Sequence, residues 1–573
     1  SSSSSSSSSS SAWASADVLP LCGSAQYRHS RCAVHKQCVA LGLVGVCCAP
    51  DSRHECCSDT MPPSPPPSPP PPAASAAFEP FKKVQEAVAA LTQQLTQYYN
   101  GEGALRGGAV LSSDQDPRYI ANREFLANKF ARAFVWQDKF VISTMGSSVV
   151  AGHDNCNFDS YQRQMQRFLA PVFRTAGVDF QVRNAGQGGG CGDSHENMVW
   201  CTEHMLGSDT DIAHYSWTYF EHGPNSKEVH ERWVRWVLAM PRAPAPMIWN
   251  AGGYSGADEC AATSDPTGQL FDKYSGFGFN TVCLQTGIKA LGYTGKEWGK
   301  VGNGLHTTTR YANTPADAFA NYSDYATNKD KQREREQSLG VVFRNWHPGP
   351  LGFQAVADTF AFLYLHAMAR GLSMVQAEVA KYSTYDAAVS ALKRRWPLAP
   401  ARVSLADLPA PVFCDPQLCS VATPPVCTSF ELPVFGPRQV PVYSQQQWEG
   451  WQADDSPLLP PAEEANPLCK HLDHCGALTG SSSSGTLTFE LPPLAVGRII
   501  ACCYNGRKDC GADFAAAGAK WFIDNQPLEG PFPQVLGKCV QIQESGGRSA
   551  ASLLSLKVTD SSATLRLSHV MAV

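Results

Sequence analysis

Four short apolar segments restrict the fold of this chain more than any other feature. They begin near Phe140, Asp179, Asp211 and Ala245, and helical patterns such as 225–238 separate them. Strands that alternate with helices are typical of a parallel sheet, because parallel strands need long crossover connections. We therefore predict an α/β domain in which a parallel sheet is flanked by helices in three layers.

The first of these segments ends in a turn of small residues, Gly146-Ser147-Ser148, which leads into a helical segment. Parallel sheets bind ligands beyond the carboxyl ends of their strands, where the start of the next helix presents unpaired N–H groups. Ser148 is therefore a candidate nucleophile. The alternative is an ordinary strand-to-helix turn in which small residues are simply convenient.

Two further segments carry candidate site residues. The second strand leads into 184–186 and a glycine-rich loop, where backbone N–H groups can approach a substrate closely. Much later, His347 precedes an apolar helical pattern over 353–368. The sequence thus places a histidine in the loop just before a buried helix.

These segments together resemble the SGNH, or GDSL-type, hydrolase family over residues 138–372. Residues 146–152 stand in the place of the family's first block, 184–186 in that of the second, and 347–352 in that of the final histidine block. The fuller phrase 145–154 is similar to a subgroup found in secreted proteins of algae. The resemblance implies an SGNH-like parallel sheet and no cofactor.

The resemblance also implies a reaction. His347 would remove the proton from Ser148, and the serine would attack an ester carbonyl to form an acyl-enzyme. The N–H groups of Ser148 and Gly186 would bind the oxyanion. The implied substrates are acyl esters, above all acetyl esters, of cell-wall or matrix glycans.

Two positions depart from the family pattern. Where the family carries an Asn after the third strand, this chain has 216–221, which contain no amide side chain. The family's Asp three residues before the histidine is replaced by Arg344, which cannot accept the imidazole proton. Asn345 is the candidate for orienting His347 instead. The alternative function is a catalytically silent SGNH fold in a structural glycoprotein of an algal wall, an extracellular matrix or a ciliary surface.

Other sites and partners have weaker support in the sequence. His306 follows Asn303 and mimics the histidine block, but no long amphipathic helix comes directly after it. Histidines crowd 195–230 without the His-Glu-x-x-His spacing of a zinc helix, so no metal is predicted. A net charge of −5 with dispersed Lys and Arg argues against nucleic acid. No apolar run approaches the ~20 residues that span a membrane.

The cysteine content predicts an extracellular protein. The chain has 21 cysteines, many in close groups, which is typical of disulfide-bonded secreted proteins. Seven of them, from Cys22 to Cys57, define a small module that is too short to hold a core without crosslinks. This module resembles a short knot of algal extracellular proteins, and a zinc site is the competing interpretation. The odd counts favour a disulfide to another part of the chain or to another subunit.

A proline-rich stretch, 62–72, is predicted to form an extended polyproline II spacer. Its Ser-Pro repeats resemble hydroxyproline-rich glycoproteins of green algal walls. Asn321, in an Asn-Tyr-Ser sequence, is a predicted N-glycosylation site. The opening run of eleven serines is either a solvated, glycosylated tract or a placeholder for unidentified residues, and 12–16 resembles the end of a signal peptide.

Composition and pattern divide the chain into six regions. These are a Ser-rich tail (1–20), a Cys-rich module (21–60), a Pro/Ser linker (61–77), the α/β domain with an N-terminal helical collar (78–395), a Pro/Cys-rich connector (396–475) and a β-sandwich (476–573). The sandwich, of jelly-roll or related type, is predicted because five segments between 485 and 568 alternate in the manner of strands.

Several residues of the last two regions carry predictions of their own. Disulfides are expected to staple the loops of the sandwich through Cys502, Cys503, Cys510 and Cys539. Upstream, Cys469 and Cys475 are expected to close a small loop. Trp521 and Tyr504 either stack on a bound glycan or belong to the sandwich core. Of these two interpretations, the sequence around Trp521 favours the core.

Overall fold

The computed structural model describes most of the chain from Ala73 onward. The described residues are 73–152, 160–187, 195–217, 226–250, 267–283, 343–344, 347–348, 350–399, 403–420, 425–430, 450–454, 476–504, 510–535 and 539–573. The predictions for the Ser-rich tail, the Cys-rich module, the linker through residue 72, His306, Asn321, Asn345 and the Cys469–Cys475 loop lie outside these residues. The chain divides into two compact units, 1–71 and 72–573, and every described residue belongs to the second unit.

A five-stranded parallel sheet forms the centre of the α/β domain, in the order β2-β1-β3-β4-β5. Its strands are β1 (Phe140–Gly146), β2 (Phe180–Gly186), β3 (Ile212–Ser216), β4 (Ala245–Asn250) and β5 (Asn280–Cys283). The sequence predicted the first four. β5 has no apolar alternation of its own, and it is held in place by side-chain bonds from Asn280 to Leu111 O and from Thr281 to Ile248 O.

Helices connect and cover these strands. They are α1 (Glu79–Tyr98), α2 (Gly103–Gly108), α3 (Pro117–Trp136), α4 (Ser148–Ala151), α5 (Tyr161–Ala176), α6 (His195–Trp200), α7 (Thr202–Leu206), α8 (Ser226–Ala239), α9 (Thr267–Tyr274), α10 (Pro350–Val379) and α11 (Tyr385–Arg395). The predicted collar helices α1 and α3 both pack against α10. The chain turns between α10 and α11. Within the part of the chain that the structure describes, no helix is both long enough and apolar enough to cross a bilayer.

Asp211 holds the amino ends of the strands together. Its carboxylate is 1% exposed and accepts hydrogen bonds from Arg132 (2.7 Å), from Arg242 (3.0 Å) and from the N–H of Val141 (3.0 Å). Its backbone N–H donates to Val141 O, and its carbonyl accepts from Ala245 N–H. One residue therefore fixes the relative heights of β1, β3 and β4.

The C-terminal region is a two-sheet antiparallel sandwich, as predicted. One sheet has the order β15-β16-β12-β18-β10-β9, with β8 also paired to β18, and the other has the order β11-β17-β13-β14. The strands are β8 (Val426–Ser429), β9 (Gln452–Asp454), β10 (Ala477–Ser481), β11 (Leu487–Leu491), β12 (Ile499–Cys503), β13 (Lys520–Ile523), β14 (Gln526–Leu528), β15 (Gln534–Val535), β16 (Cys539–Gln543), β17 (Ser552–Lys557) and β18 (Thr564–Ala572). A short helix, α13 (Cys510–Ala516), follows β12. Two of these strands, β8 and β9, come from the predicted connector.

The seven-stranded sheet is buried on both faces. Along β12, Ile499 and Ala501 point into the core between the two sheets, whereas Ile500 and Cys502 belong to the large core of the α/β domain. Met571 of β18 also joins the α/β core. The layers therefore follow the order α/β domain, seven-stranded sheet, four-stranded sheet and solvent. Trp521 and Tyr504 are each 1% exposed, so both are core residues.

Buried charge fixes the connector to helix α8. The carboxylate of Glu231 accepts N–H bonds from residues 412–414 at 2.5–2.9 Å. One turn later, Arg235 donates to the carbonyls of Pro409 and Cys419 at 2.5 and 2.8 Å. Both side chains are at most 1% exposed. Within this segment a short helix, α12 (Pro416–Cys419), ends at the second of these carbonyls.

Disulfide bonds reinforce the junction and the sandwich. The described pairs are Cys201–Cys427, Cys414–Cys419, Cys502–Cys539 and Cys503–Cys510. The last two confirm that the four sandwich cysteines staple its loops. The first joins the α/β domain, just before α7, to strand β8 of the sandwich. The two regions are therefore crosslinked as well as packed together.

Replacing Asp211 tests how strongly the fold depends on its carboxylate. Asp211→Asn keeps the shape but removes the buried negative charge that Arg132 and Arg242 share, so that Asp138 is the one carboxylate left to both of them in the described ranges, and we expect a loss of about 3–5 kcal/mol in the free energy of unfolding. Asp114→Asn is the matched control, because Asp114 pairs with Arg106 while its side chain is 55% exposed. That change should cost under about 1 kcal/mol. Equal thermal stability of the two variants would contradict the prediction.

Lys129 gives the fold a pH dependence. Burial, reinforced by Arg132 and Arg242, lowers the pKa of Lys129 to about 7, although Asp211 opposes this. In the unfolded chain a lysine keeps its ordinary pKa near ~10.4. Between these values the unfolded state binds more protons, so stability rises with pH.

Lys129→Met should therefore raise the melting temperature most at pH ~6, where the buried lysine carries its charge, and progressively less toward pH ~9. Melting curves of both proteins across this range measure the difference. A difference that stays constant with pH would show that Lys129 is not the titrating group.

Candidate functional site

Ser148 lies where the sequence placed it, beyond the carboxyl end of β1. β1 pairs with β2 and β3, and Gly146 is level with Gly186 on one side and with Ser216 on the other. The chain then turns through Ser147 into α4, whose first residue is Ser148. Ser148 is 7% exposed. The turn therefore places this serine at the carboxyl ends of the strands, in a largely enclosed position.

Backbone hydrogen bonds fix the turn from both neighbouring strands. The N–H of Ser147 donates to Ser216 O at 3.0 Å, and the N–H of Gln187 donates to Gly146 O at 2.7 Å. Ser147 caps α4 without a side-chain hydrogen bond. Its hydroxyl, like that of Ser216, is buried and has no hydrogen-bond partner among the residues that the structure describes. The position of Ser148 thus depends on main-chain geometry.

Two glycines are required because α4 lies directly on the strand ends. A Cβ atom at Gly146 would collide with Ser216 O and with the side chain of Val150. A Cβ atom at Gly186 would collide with the backbone of Val150 and Ala151. The glycines of both sequence blocks therefore serve close packing of this short helix.

Asn184 links the second strand to α4. Its side-chain N–H donates to Val150 O at 2.9 Å, and its Oδ1 accepts the N–H of Gly186 at 2.8 Å. The sequence predicted that the Gly186 N–H binds an oxyanion. In this structure the same N–H already donates to Asn184, so a substrate oxygen would have to share it.

A second amide, which sequence reasoning missed, supports the same carbonyl. Gln162 Nε2 donates to Val150 O at 2.8 Å and to Thr144 Oγ1 at 3.1 Å. Gln162 is 2% exposed. It lies in the first turn of α5, among polar residues whose burial the sequence gives no reason to expect. The short helix that carries Ser148 is therefore held by amides from both β2 and α5.

The short strand that contains His347 lies close to α4. β7 (His347–Pro348) forms a two-stranded hairpin with β6 (Phe343–Arg344), and Arg344 is directly opposite His347. Cα atoms of β7 lie within 8 Å of Cα atoms of α4. Of His347 the structure describes the backbone, and Asn345 is outside the described residues. The two predicted catalytic segments thus meet in space at the level of the main chain.

His214 lies beneath the site on β3 and is fully buried. Its Nε2 lies 2.6 Å from the hydroxyl of Tyr364, its Nδ1 lies 3.3 Å from that of Tyr161, and its ring stacks on Phe360. Burial lowers the pKa of His214 to about 3 and raises the pKa of both tyrosines. This histidine is therefore neutral near pH 7 and does not titrate in the range of a general base.

No group of three or more His, Cys, Asp or Glu residues is arranged to hold a metal ion in the ranges that the structure describes. The described part of the site consists of hydroxyl, amide and backbone groups around a buried serine. Such groups can support nucleophilic chemistry at a carbonyl or serve purely to pack a turn.

No family model matches the chain, and no curated protein matches it. Two solved structures of a two-domain esterase described as active on acetylated mannans, one of them with mannopentaose, cover 82% of this chain. They are 14% and 13% identical, with 98% and 97% of their own chains covered and TM-scores of 0.37. A likeness at this level supports no assignment of activity.

Removing the Asn184 side chain tests its part in holding α4. Asn184→Ala leaves the Gly186 N–H without its acceptor in a buried place, and we expect a loss of about 1–3 kcal/mol in the free energy of unfolding. Gln181→Ala is the control on the same strand, because Gln181 bonds Asp179 at the surface and should lose under about 0.5 kcal/mol. Denaturant unfolding measures both, and equal losses would contradict the role of Asn184.

Proposed function

We propose that this protein is an extracellular serine esterase that removes small acyl groups, above all acetyl, from cell-wall or matrix glycans. Ser148 is the proposed nucleophile and His347 the proposed base. The observation that carries the proposal is the approach of β7, the two-residue strand that contains His347, to the helix that begins at Ser148, with Cα atoms of the two elements within 8 Å of each other. The two residues are 199 positions apart, from 148 to 347, and belong to segments that the sequence singled out separately.

The proposed reaction has two halves. His347 takes the proton of the Ser148 hydroxyl while Oγ attacks the ester carbonyl carbon, and the imidazolium then returns that proton to the departing sugar oxygen. Water next attacks the acyl-enzyme with His347 as base, which releases the carboxylic acid and restores Ser148. The net reaction is ester plus water giving an acid and an alcohol.

Oxyanion stabilisation is the part of the proposal that departs from the family pattern. The N–H of Ser148, the first residue of α4, is one proposed donor, as the family resemblance implies. The N–H of Gly186 is the second, and it would be shared with Asn184 Oδ1. Asn345 is the proposed partner that orients His347. Each oxyanion donor is commonly worth ~3–4 kcal/mol in such enzymes.

The proposed class of substrate follows from the low exposure of Ser148 and from the proposed extracellular location. Ser148 is only 7% exposed, so a small acyl group such as acetyl reaches it more easily than a long chain. Disulfides such as Cys201–Cys427, together with the Pro/Ser-rich linker, favour an extracellular location in contact with matrix polymers.

A second function is favoured by two specific observations. The Gly186 N–H is already bonded, and Arg344, in place of the family's acid, is directly opposite His347 in the hairpin. Both suit a chain that keeps the SGNH-like architecture as a rigid part of a wall, matrix or ciliary-surface assembly. The experiment below separates the two functions.

Covalent labelling with a fluorophosphonate tests the proposed nucleophile. We expect the wild-type protein to be labelled and Ser148→Ala to be unlabelled, because the reagent reacts with an activated serine hydroxyl. His347→Ala should be labelled roughly 10³-fold more slowly, since the base is lost. Acetate release from an acetylated polysaccharide should be fastest in the wild type, slower in His347→Ala and slowest in Ser148→Ala.

Two further substitutions serve as controls. Ser147→Ala removes the adjacent hydroxyl, which makes no capping bond to α4, and His306→Ala removes the rival histidine. Both variants should be labelled like the wild type. A folded wild-type protein that takes up no label would make the structural function the working conclusion, and labelling that survives in Ser148→Ala would exclude this serine as the nucleophile.

A further inference from the structure

The outer face of the four-stranded sheet combines lysines, an aromatic ring and hydroxyl groups. Alternate residues of β11, β13 and β17 fill the sandwich core, among them Phe489, Trp521 and Leu554. The residues between them point away from that core. On this outer face Leu553 remains 46% exposed, so the face is open to solvent.

Two lysines lie directly opposite each other on this face. Lys520 of β13 pairs in register with Lys557 of β17, and both are exposed. Neither makes an ion pair or a side-chain hydrogen bond with any residue in the described ranges. Like charges at directly opposed positions destabilise a sheet. An anion bound between the two ammonium groups would remove this repulsion.

The next row of the same face carries an aromatic ring and two hydroxyls. Phe522 is opposite Ser555, and Ser555 is opposite Thr488, with the hydroxyl oxygens of Ser555 and Thr488 3.3 Å apart. Residues two apart on a strand are about 7 Å apart. The ring of Phe522, which is partly exposed, therefore lies about one sugar ring away from the lysine pair.

We propose that this face binds an acidic polysaccharide. A carboxylate or sulfate group is held between Lys520 and Lys557, and a sugar ring packs on Phe522 with its hydroxyls toward Thr488, which is partly exposed, whereas Ser555 between them is 9% exposed. The surface is a sheet face and not an edge, so its backbone N–H and C=O groups are paired within the sheet. An acidic peptide therefore has no ladder to extend, whereas a glycan uses the ring and hydroxyls that are present.

Location gives this face a function separate from the serine site. The seven-stranded sheet lies between it and the α/β domain. Binding here attaches the protein to a polymer without contact with Ser148. The proposal is therefore independent of esterase activity, and fluorophosphonate labelling should be unchanged in every variant below.

Electrophoresis in native gels that contain a polymer tests the proposal. The probes are polygalacturonate, which carries carboxylates, dextran sulfate, which carries sulfates, and neutral dextran. With a net charge of −5 the protein as a whole is repelled by an anionic polymer, so retardation requires a local site. We expect retardation by one or both anionic glycans and none by dextran, and the arm that binds identifies the acidic group.

The variants separate the lysine pair from the ring. Lys520→Gln with Lys557→Gln should weaken retention by about tenfold or more, because both charges contact the anion. Phe522→Leu, which keeps an apolar side chain but loses the ring, should weaken it by about threefold or more. Lys82→Gln with Lys83→Gln is the matched control, since it removes the same charge from exposed lysines of α1 and should have no effect. Melting temperatures show that each variant is folded.

Several results would overturn the proposal. These are the absence of retardation by both anionic glycans, equal retardation by neutral dextran, an equal effect of the Lys82/Lys83 control, and equal binding of polyglutamate, which would identify an acidic polypeptide as the partner. Loss of serine labelling with glycan retention intact would refute the esterase function alone.

Discussion

The carboxylate of Asp211 is the interaction on which the rest of the α/β domain depends. It is almost completely buried, and it binds two arginines and a strand N–H at once. Such a charge is stable in the interior only when all of its partners are in place. Because those partners come from α3, β1 and the segment before β4, the strands start at fixed heights. Their carboxyl ends, where Ser148 is located, are therefore level as well.

Much of this architecture was predictable because the strands that form the cores carry their own pattern. Four strands of the parallel sheet and five of the sandwich are apolar or alternate clearly in the sequence. Several of the strands that were missed are short or polar, such as β5, β9 and β14. Their conformation comes from pairing with neighbours in space, which the local sequence does not record. The same reason explains why two strands of the predicted connector belong to the sandwich.

The candidate site shows a similar division. The turn at Ser148 and the approach of the His347 segment follow from blocks that the sequence displays. The bond from Gly186 to Asn184 and the support from Gln162 do not, because they depend on how α4 settles on the strand ends. A glycine in such a block is compatible with two purposes, close packing and oxyanion binding. Here both glycines allow α4 to pack closely on the strand ends, and the N–H of Gly186 is bonded to Asn184.

The seven-stranded sheet has one face in each core, and this has a consequence for how the protein evolves. A domain can be shuffled between genes when its surface is complete without its neighbour. Here Ile500 and Met571 would become exposed on separation, and the disulfide from Cys201 to Cys427 would lose one of its halves. Selection therefore acts on the two regions as one unit. Truncated or recombined genes that cut between them should be rare, and substitutions on the shared face should occur in compensating pairs.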